Sequence, residues 1–226
     1  MKITFHGHAT FSLEIGGKLL LVDPFVSGNP QASNKDISRF KPDYILVTHG
    51  HADHVADVEA IAKASGATVI SNYEIVNWFG SKEVTGYPLN HGGKVTLDGL
   101  TIKYVNAVHT STLPDGSNGG DPGGFVIWDG SQCIYIAGDT ALTMDMKLIP
   151  MTCPKLDVAI LPIGDNFTMG YDDAAIAAEF IGCDKIIGCH YDTFGYIEMD
   201  KASALSAFQS KSKELILMDV EGELVV

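Results

Sequence analysis

The 226-residue chain carries a net charge of −13 and a single arginine, Arg39. That argues against nucleic acid or an anionic membrane as a partner, because both need clustered Lys and Arg. Its apolar fraction of 46% and charged fraction of 19% are those of a globular protein. No apolar run approaches the roughly 18 residues of a membrane span.

The opening Lys2-Ile3-Thr4-Phe5 alternates like a strand and does not resemble a signal peptide. Phe11–Ile15 and Lys18–Val22 form a predicted hairpin about Gly16-Gly17, which ends in Asp23-Pro24. Residues 26–40 read as a loop with a short helix. Strand Tyr44–Thr48 leads into His49-Gly50-His51-Ala52-Asp53-His54. A helix is expected over Val55–Ser65, stopped by Gly66. Strand Thr68–Ser71, a helix at 73–80, and short strands around Val84, at Val95–Leu97 and at Leu100–Val105 follow, ending near His109. Residues 111–124 are rich in Gly and Pro, so they are the expected mobile segment and a candidate lid. A second hairpin, Phe125–Trp128 with Cys133–Ala137, ends in Gly138-Asp139-Thr140. A helix near 141–149, strand Val158–Leu161, a helix at 172–182, strand Lys185–Gly188, His190, a helix at about 200–210 and strand Leu215–Met218 close the chain. The four cysteines form no Cys-x-x-Cys pair, and Cys133 and Cys189 lie in apolar runs. They read as reduced core residues of a cytoplasmic protein.

The two halves of the chain repeat one another. Phe11…Gly16-Gly17…Asp23 matches Phe125…Asp129-Gly130…Asp139, Lys41-Pro42-Asp43 matches Lys155-Leu156-Asp157, and Lys2–His8 aligns with Lys103–His109. Two such halves imply two sheets packed face to face with helices outside, in one domain over residues 1–226. A site belongs where the halves meet, at strand ends.

Three histidines and one aspartate within six residues are a dense set of metal ligands. Imidazole with carboxylate suits zinc, manganese, iron or nickel. His109, Asp139 and His190 each end an apolar strand. Seven such groups fit two metals about 3.5–4 Å apart, with hydroxide formed on the metals as the nucleophile. His49, His51 and His109 would take one ion and Asp53, His54 and His190 the other, with Asp139 bridging. Asp23 is read as the partner of a ligating imidazole N–H. His8, the repeat's mate of His109, should face the same cleft, either acting on substrate or as a buried, hydrogen-bonded histidine. Asp53 and His8 are the candidate catalytic groups. His6 and His91 read as structural.

The series His49-x-His51-x-Asp53-His54, His109, Gly138-Asp139-Thr140, His190 resembles the metallo-β-lactamase superfamily. Gly7-His8-Ala9 and Leu21-Val22-Asp23-Pro24 are similar to its uncharacterised metal-dependent hydrolase branch, related to ascorbate-6-phosphate lactonase-like proteins. The resemblance implies an α/β four-layer αβ/βα sandwich with a dinuclear site at one edge. It also implies a hydrolase of a small ester, lactone, amide or phosphodiester, with zinc foremost among the metals. A di-iron redox protein and a nuclease are the alternatives on this fold. The partner is then a small-molecule substrate, and self-association stays open.

Overall fold

The computed structural model describes residues 1–226. The first sheet contains β1 (Lys2–Phe5), β2 (Phe11–Ile15), β3 (Lys18–Val22), β4 (Tyr44–Leu46), β5 (Thr68–Ser71) and β6 (Gly86–Pro88). The second contains β7 (Lys94–Leu97), β8 (Leu100–Asn106), β9 (Gly123–Trp128), β10 (Cys133–Ile136), β11 (Val158–Pro162), β12 (Lys185–Cys189) and β13 (Glu214–Ile216). A last strand, β14 (Glu223–Val225), returns to the first sheet beside β1. The helices are α1 (Ala52–Val55), α2 (Val58–Ser65), α3 (Tyr73–Gly80), α4 (Ile149–Thr152), α5 (Tyr171–Phe180) and α6 (Lys201–Ser210).

Strand orders are β14-β1-β2-β3-β4-β5-β6 and β7-β8-β9-β10-β11-β12-β13, read in corresponding directions. Each sheet is antiparallel through its first four strands and parallel through the rest. The two sheets are therefore pseudo-symmetric, with β14 filling in the first the place β7 has in the second. Side-chain alternation sorts the core into layers. Ile3, Leu20 and Leu46 meet Ile102, Phe125 and Ile160 between the sheets. Leu21 and Ile45 face out, against Val58 and Ile61 of α2 and Phe79 of α3. Ala159, Leu161 and Ile186 face out, against α5 and α6. This is the expected four-layer αβ/βα sandwich.

Several expected elements differ in detail. The helix foreseen over Val55–Ser65 is two helices, broken at Ala56-Asp57. The Asp57 carboxylate turns away to accept the backbone N–H groups of Val26 (2.6 Å) and Ser27 (2.9 Å), which fixes the loop that follows Asp23. The helix near 141–149 is a 3₁₀ turn, Met144–Leu148, running into α4. The strand sought around Val84 lies slightly later, as β6. β14 has no counterpart in the sequence reading. It is anchored by Glu221, which takes both arms of Arg39 (2.8 and 2.6 Å) and the Nδ1 of His6 (3.2 Å).

Register also moves the repeat. Lys2 faces Glu14, and Thr101 faces Trp128. Lys2 is thus equivalent to Thr101, two residues from the alignment with Lys103. Likewise the Asp23 and Ala137 amides make corresponding bonds, to Leu46 and Ile160 (both 3.0 Å). Asp23 is therefore equivalent to Ala137, and Asp139 lies two residues further on.

The loop over residues 111–124 is tied down. Leu113 is buried, the Gly119 amide donates to Ser111 (2.7 Å) and the Leu113 amide to Ser117 (2.9 Å). Asn72 Nδ2 donates to the Gly119 carbonyl (2.7 Å), and the Trp78 indole to Asp115 (2.7 Å). These bonds go against the mobility that Gly and Pro content suggested. Hydrogen exchange should find the Leu113 and Gly119 amides protected well beyond those of a free loop, and rapid exchange at both would restore the lid.

The C-terminal clamp has a pH signature. Arg39 holds the Glu221 carboxyl below its ordinary value of 4.5, so the clamp's stabilisation is present at neutral pH and lost as pH falls through the lowered pKa. Arg39→Ala should lower Tm at pH 7, and the gap from the parent should narrow in acid; a gap independent of pH would refute the charge argument.

Candidate metal centre

Strands β1, β3 and β4 run in one direction, as do β8, β10, β11 and β12. Their carboxyl ends form two edges, and all the predicted site residues follow these ends. The edges meet at Thr48. Its carbonyl accepts the Gly123 amide (3.1 Å) and the hydroxyl of fully buried Tyr104 (2.8 Å), both from the second sheet. A Cβ on Gly138 would lie 2.7 Å from Thr48 Cβ, and Gly138 has φ +65°, so both space and backbone require glycine there.

Asp23 sits in the left-handed region (φ +42°) and is buried. Its Oδ1 accepts the Thr48 amide (2.8 Å), and its Oδ2 accepts the Thr48 hydroxyl (2.7 Å) and His54 Nδ1–H (2.9 Å). With its own proton given to Asp23, Thr48 Oγ1 accepts His49 Nδ1–H (3.0 Å). One carboxylate thus fixes two imidazoles with Nδ1 protonated and the Nε2 lone pair turned to the cleft. Asp23 therefore bonds a ligand-type imidazole as the sequence suggested. Thr48 was missed, although a hydroxyl immediately before the cluster was a signal in plain view.

The second carboxylate, Asp139, is buried among imidazoles. Its Oδ2 lies 3.0 Å from His190 Nε2, 3.4 Å from His54 Nε2, 3.6 Å from His109 Nε2 and 3.8 Å from His49 Nε2. His49 Nε2 and His51 Nδ1 face each other at 3.1 Å. Ligand atoms of His49, His51 and His109 come within 4.8 Å of one another, and so do those of His8, Asp53, His54 and His190. The structure thus brings together all seven residues predicted as ligands.

His8 joins them, but in the buried form of its two readings. It is 0% exposed; Nδ1 bonds Thr193 Oγ1 (2.9 Å) and Nε2 bonds Asp53 Oδ2 (3.1 Å). Its main chain also spans the halves, the His190 amide donating to the His8 carbonyl (2.8 Å). Thr193 had no sequence signal. His6, between Glu221 and Ser12, and His91, bonded to the Pro122 carbonyl (2.9 Å), lie outside the cluster as expected.

The buried carboxylates draw positive charge to the cluster. Burial alone would raise the pKa of Asp139, but His190 and His54 outweigh it and hold the carboxyl well below its ordinary value. Burial would likewise strip His54 of a proton, but Asp139 and Asp23 outweigh it and raise its pKa. Burial drives His49 well below the ordinary imidazole value and His8 down to about 4. Cys189, next to His190, is buried, and its thiol is not among the clustered ligand atoms. No Lys or Arg bonds the cluster carboxylates. His54 Nε2 and Asp139 Oδ1 are buried without a hydrogen-bond partner, as expected of donors reserved for an ion. The residues fit a metal centre.

Residues 2–190 match the family model of the β-lactamase superfamily domain. Among curated relatives, a UPF0173 metal-dependent hydrolase from Christiangramia forsetii is 59% identical over 97% of both chains. One from Flavobacterium johnsoniae is 56% identical, again over 97% of both. Among solved structures, the metallo hydrolase Igni18 from Ignicoccus hospitalis superposes with a TM-score of 0.89 at 30% identity, over 99% of this chain and 97% of its own. The chain belongs to the β-lactamase superfamily, in its UPF0173 branch of metal-dependent hydrolases.

Thr48→Val keeps the shape of residue 48 and removes the hydroxyl between Asp23 and His49. It should leave the fold intact and weaken zinc binding about 10- to 100-fold, the usual cost of losing a group that orients a ligand. Competition with a chromogenic chelator measures this, and an unchanged affinity would show that the hydroxyl is dispensable.

Proposed function

We propose that this hydrolase holds two divalent transition-metal ions, zinc foremost with manganese, nickel and iron as alternatives, and cleaves a small ester, lactone or amide; phosphodiesters are the other class the sequence admits. The observation that carries this reading is Asp139 Oδ2, with four imidazole Nε2 atoms within 3.8 Å. A carboxylate so placed suits two ions at once. His49, His51 and His109 would hold one, Asp53, His54 and His190 the other, and Asp139 both.

Such ions, when bound, lower the pKa of water from 15.7 to about 7 and so supply hydroxide at neutral pH. The protein's part is positioning and proton movement. Asp23 and Thr48 keep the His54 and His49 tautomers fixed, so no reorganisation is needed during reaction. Asp53 is 29% exposed while Asp139 is 4%; it is the cluster carboxylate open to substrate. We assign it the task of accepting the proton that the attacking water gives up and passing it to the leaving group. His8 has both nitrogens engaged and no exposed surface, so its role is to hold Asp53 through Oδ2 rather than to touch substrate.

Metal analysis of protein prepared without chelators should give close to two ions per chain, and Asp139→Ala should lower occupancy of both. One ion per chain under saturating metal would refute the dinuclear reading. Assays against esters, lactones, amides and bis(p-nitrophenyl) phosphate test the substrate class. His8→Ala should keep the metal content and lower kcat/KM about 10- to 100-fold. Loss of metal would make His8 a ligand or its support; unchanged rate would make it a bystander.

A further inference from the structure

The segments that carry or directly flank the ligand-type residues contain no lysine and no arginine. This holds for residues 6–10, 23–34, 47–57, 107–122, 138–146, 163–173 and 190–200. Lysines follow three of these stretches: Lys35 is exposed and makes no ion pair, Lys147 lies over the Phe180 ring at 4.3 Å, and Lys201 is taken up by Asp192 at 3.3 Å. Asp165, Asp192 and Glu198 lie on the same loops, and Asp172 and Asp173 on the first turn of α5. A site built to recognise a phosphate or carboxylate on its substrate places guanidinium or ammonium groups there. These segments offer none of their own.

What the same loops do present is aromatic surface. Phe167 sits on a tight turn after β11, closed by the Asp165 amide on the Met169 carbonyl (3.3 Å). Tyr196 sits on the 3₁₀ turn Gly195–Ile197 after β12. They are 51% and 78% exposed, yet their rings meet edge-to-face with centroids 6.1 Å apart. The two loops are locked together beneath them. A Cβ on Gly164 would lie 2.0 Å from the His190 carbonyl oxygen and 3.2 Å from Ile197 Cβ, with Ile197 fully buried. On the second loop Phe194 packs 5.4 Å from the His8 ring, and His8 holds Asp53. Phe194 thus lies against the cluster, and Tyr196, two residues on in the same loop, pairs with Phe167. Exposed aromatics on two mutually braced turns beside a reactive centre mark a binding wall.

We infer that the site takes substrates carrying an aryl or similarly bulky apolar group, seated on Phe194, Tyr196 and Phe167, and gives no ion pair from these segments to a carboxylate remote from the reacting bond. The inference rests on the metal-hydrolase reading above and narrows it.

Calorimetry on zinc-loaded protein with two metal-chelating probes separates the two readings. Phenylacetohydroxamate should bind about tenfold or more tighter than acetohydroxamate, through the apolar area it buries. Phe167→Ala combined with Tyr196→Ala, both exposed and so harmless to folding, should bring the aryl probe down toward the affinity of the methyl one. In turnover, p-nitrophenyl esters should rank phenylacetate over acetate over hemiglutarate in kcat/KM, with the double variant raising KM for the phenylacetate. Equal affinity of the two hydroxamates, or preference for the anionic hemiglutarate, would overturn the inference while leaving the metal centre standing. Failure of both probes to bind would overturn the metal-centre reading, and this inference with it.

Discussion

The structure depends on satisfying one buried carboxylate. Asp23 is removed from water, so both oxygens must find donors or the fold loses several kcal/mol. They find three: the Thr48 amide, the Thr48 hydroxyl and His54 Nδ1–H. Because Thr48 spends its hydrogen on Asp23, its oxygen must accept, and the donor available is His49 Nδ1–H. Folding demand and site chemistry are here the same bonds. Reaching them holds Asp23 at φ +42°, where a residue other than glycine is strained. His8 (φ +58°) and His190 (φ +55°) are in the same condition. Strain at three cluster residues persists because the surrounding bonds over-determine them.

Thr48 is also where the two sheets are joined. Its carbonyl is the shared acceptor for Tyr104 and Gly123, so a slip between the sheets would disturb the same residue that orients His49 and bonds Asp23. The inter-sheet core of Ile, Leu and Phe sets the spacing of the layers, but apolar packing is non-directional. Directional precision at the edge comes from the Thr48 carbonyl, from the His8–His190 backbone bond and from the close approach at Gly138. That division explains how seven ligand-type residues from several strand ends reach one small volume.

Much of this was legible in the sequence. Strand ends carrying His49, His109, Asp139 and His190 were visible because apolar runs stop where the polar ligands begin. The repeat gave two layers of sheet, because hairpin turns at Gly16-Gly17 and Asp129-Gly130 punctuate both halves alike. What was missed depends on partners distant in sequence. β14 has only three residues, and its place is fixed by Arg39, 182 residues before Glu221. The break at Asp57 follows from the amides of Val26 and Ser27. The order in loop 111–124 comes from Asn72 and Trp78, beside and on α3, which glycine content cannot report. The burial of His8 depends on Thr193 and Asp53, 185 and 45 residues away.

The halves are alike, yet the site is not symmetric, and register shows why. Phe11 pairs with Val22 and Leu20 with Tyr44 in the first sheet; Phe125 pairs with Ile136 and Ile134 with Val158 in the second. Thr48 therefore corresponds to Pro162, and Asp23 to Ala137. Proline has no N–H and no hydroxyl, so a carboxylate at position 137 would be buried with none of the donors that Thr48 gives Asp23. The second half places alanine there and reaches its carboxylate two residues later, by way of left-handed Gly138. The displaced Asp139 comes to rest among imidazole nitrogens with Oδ1 unpartnered. One Thr-to-Pro difference between equivalent strand ends thus accounts for two roles: a carboxylate that orients histidines in one half, and a carboxylate free to meet metal in the other.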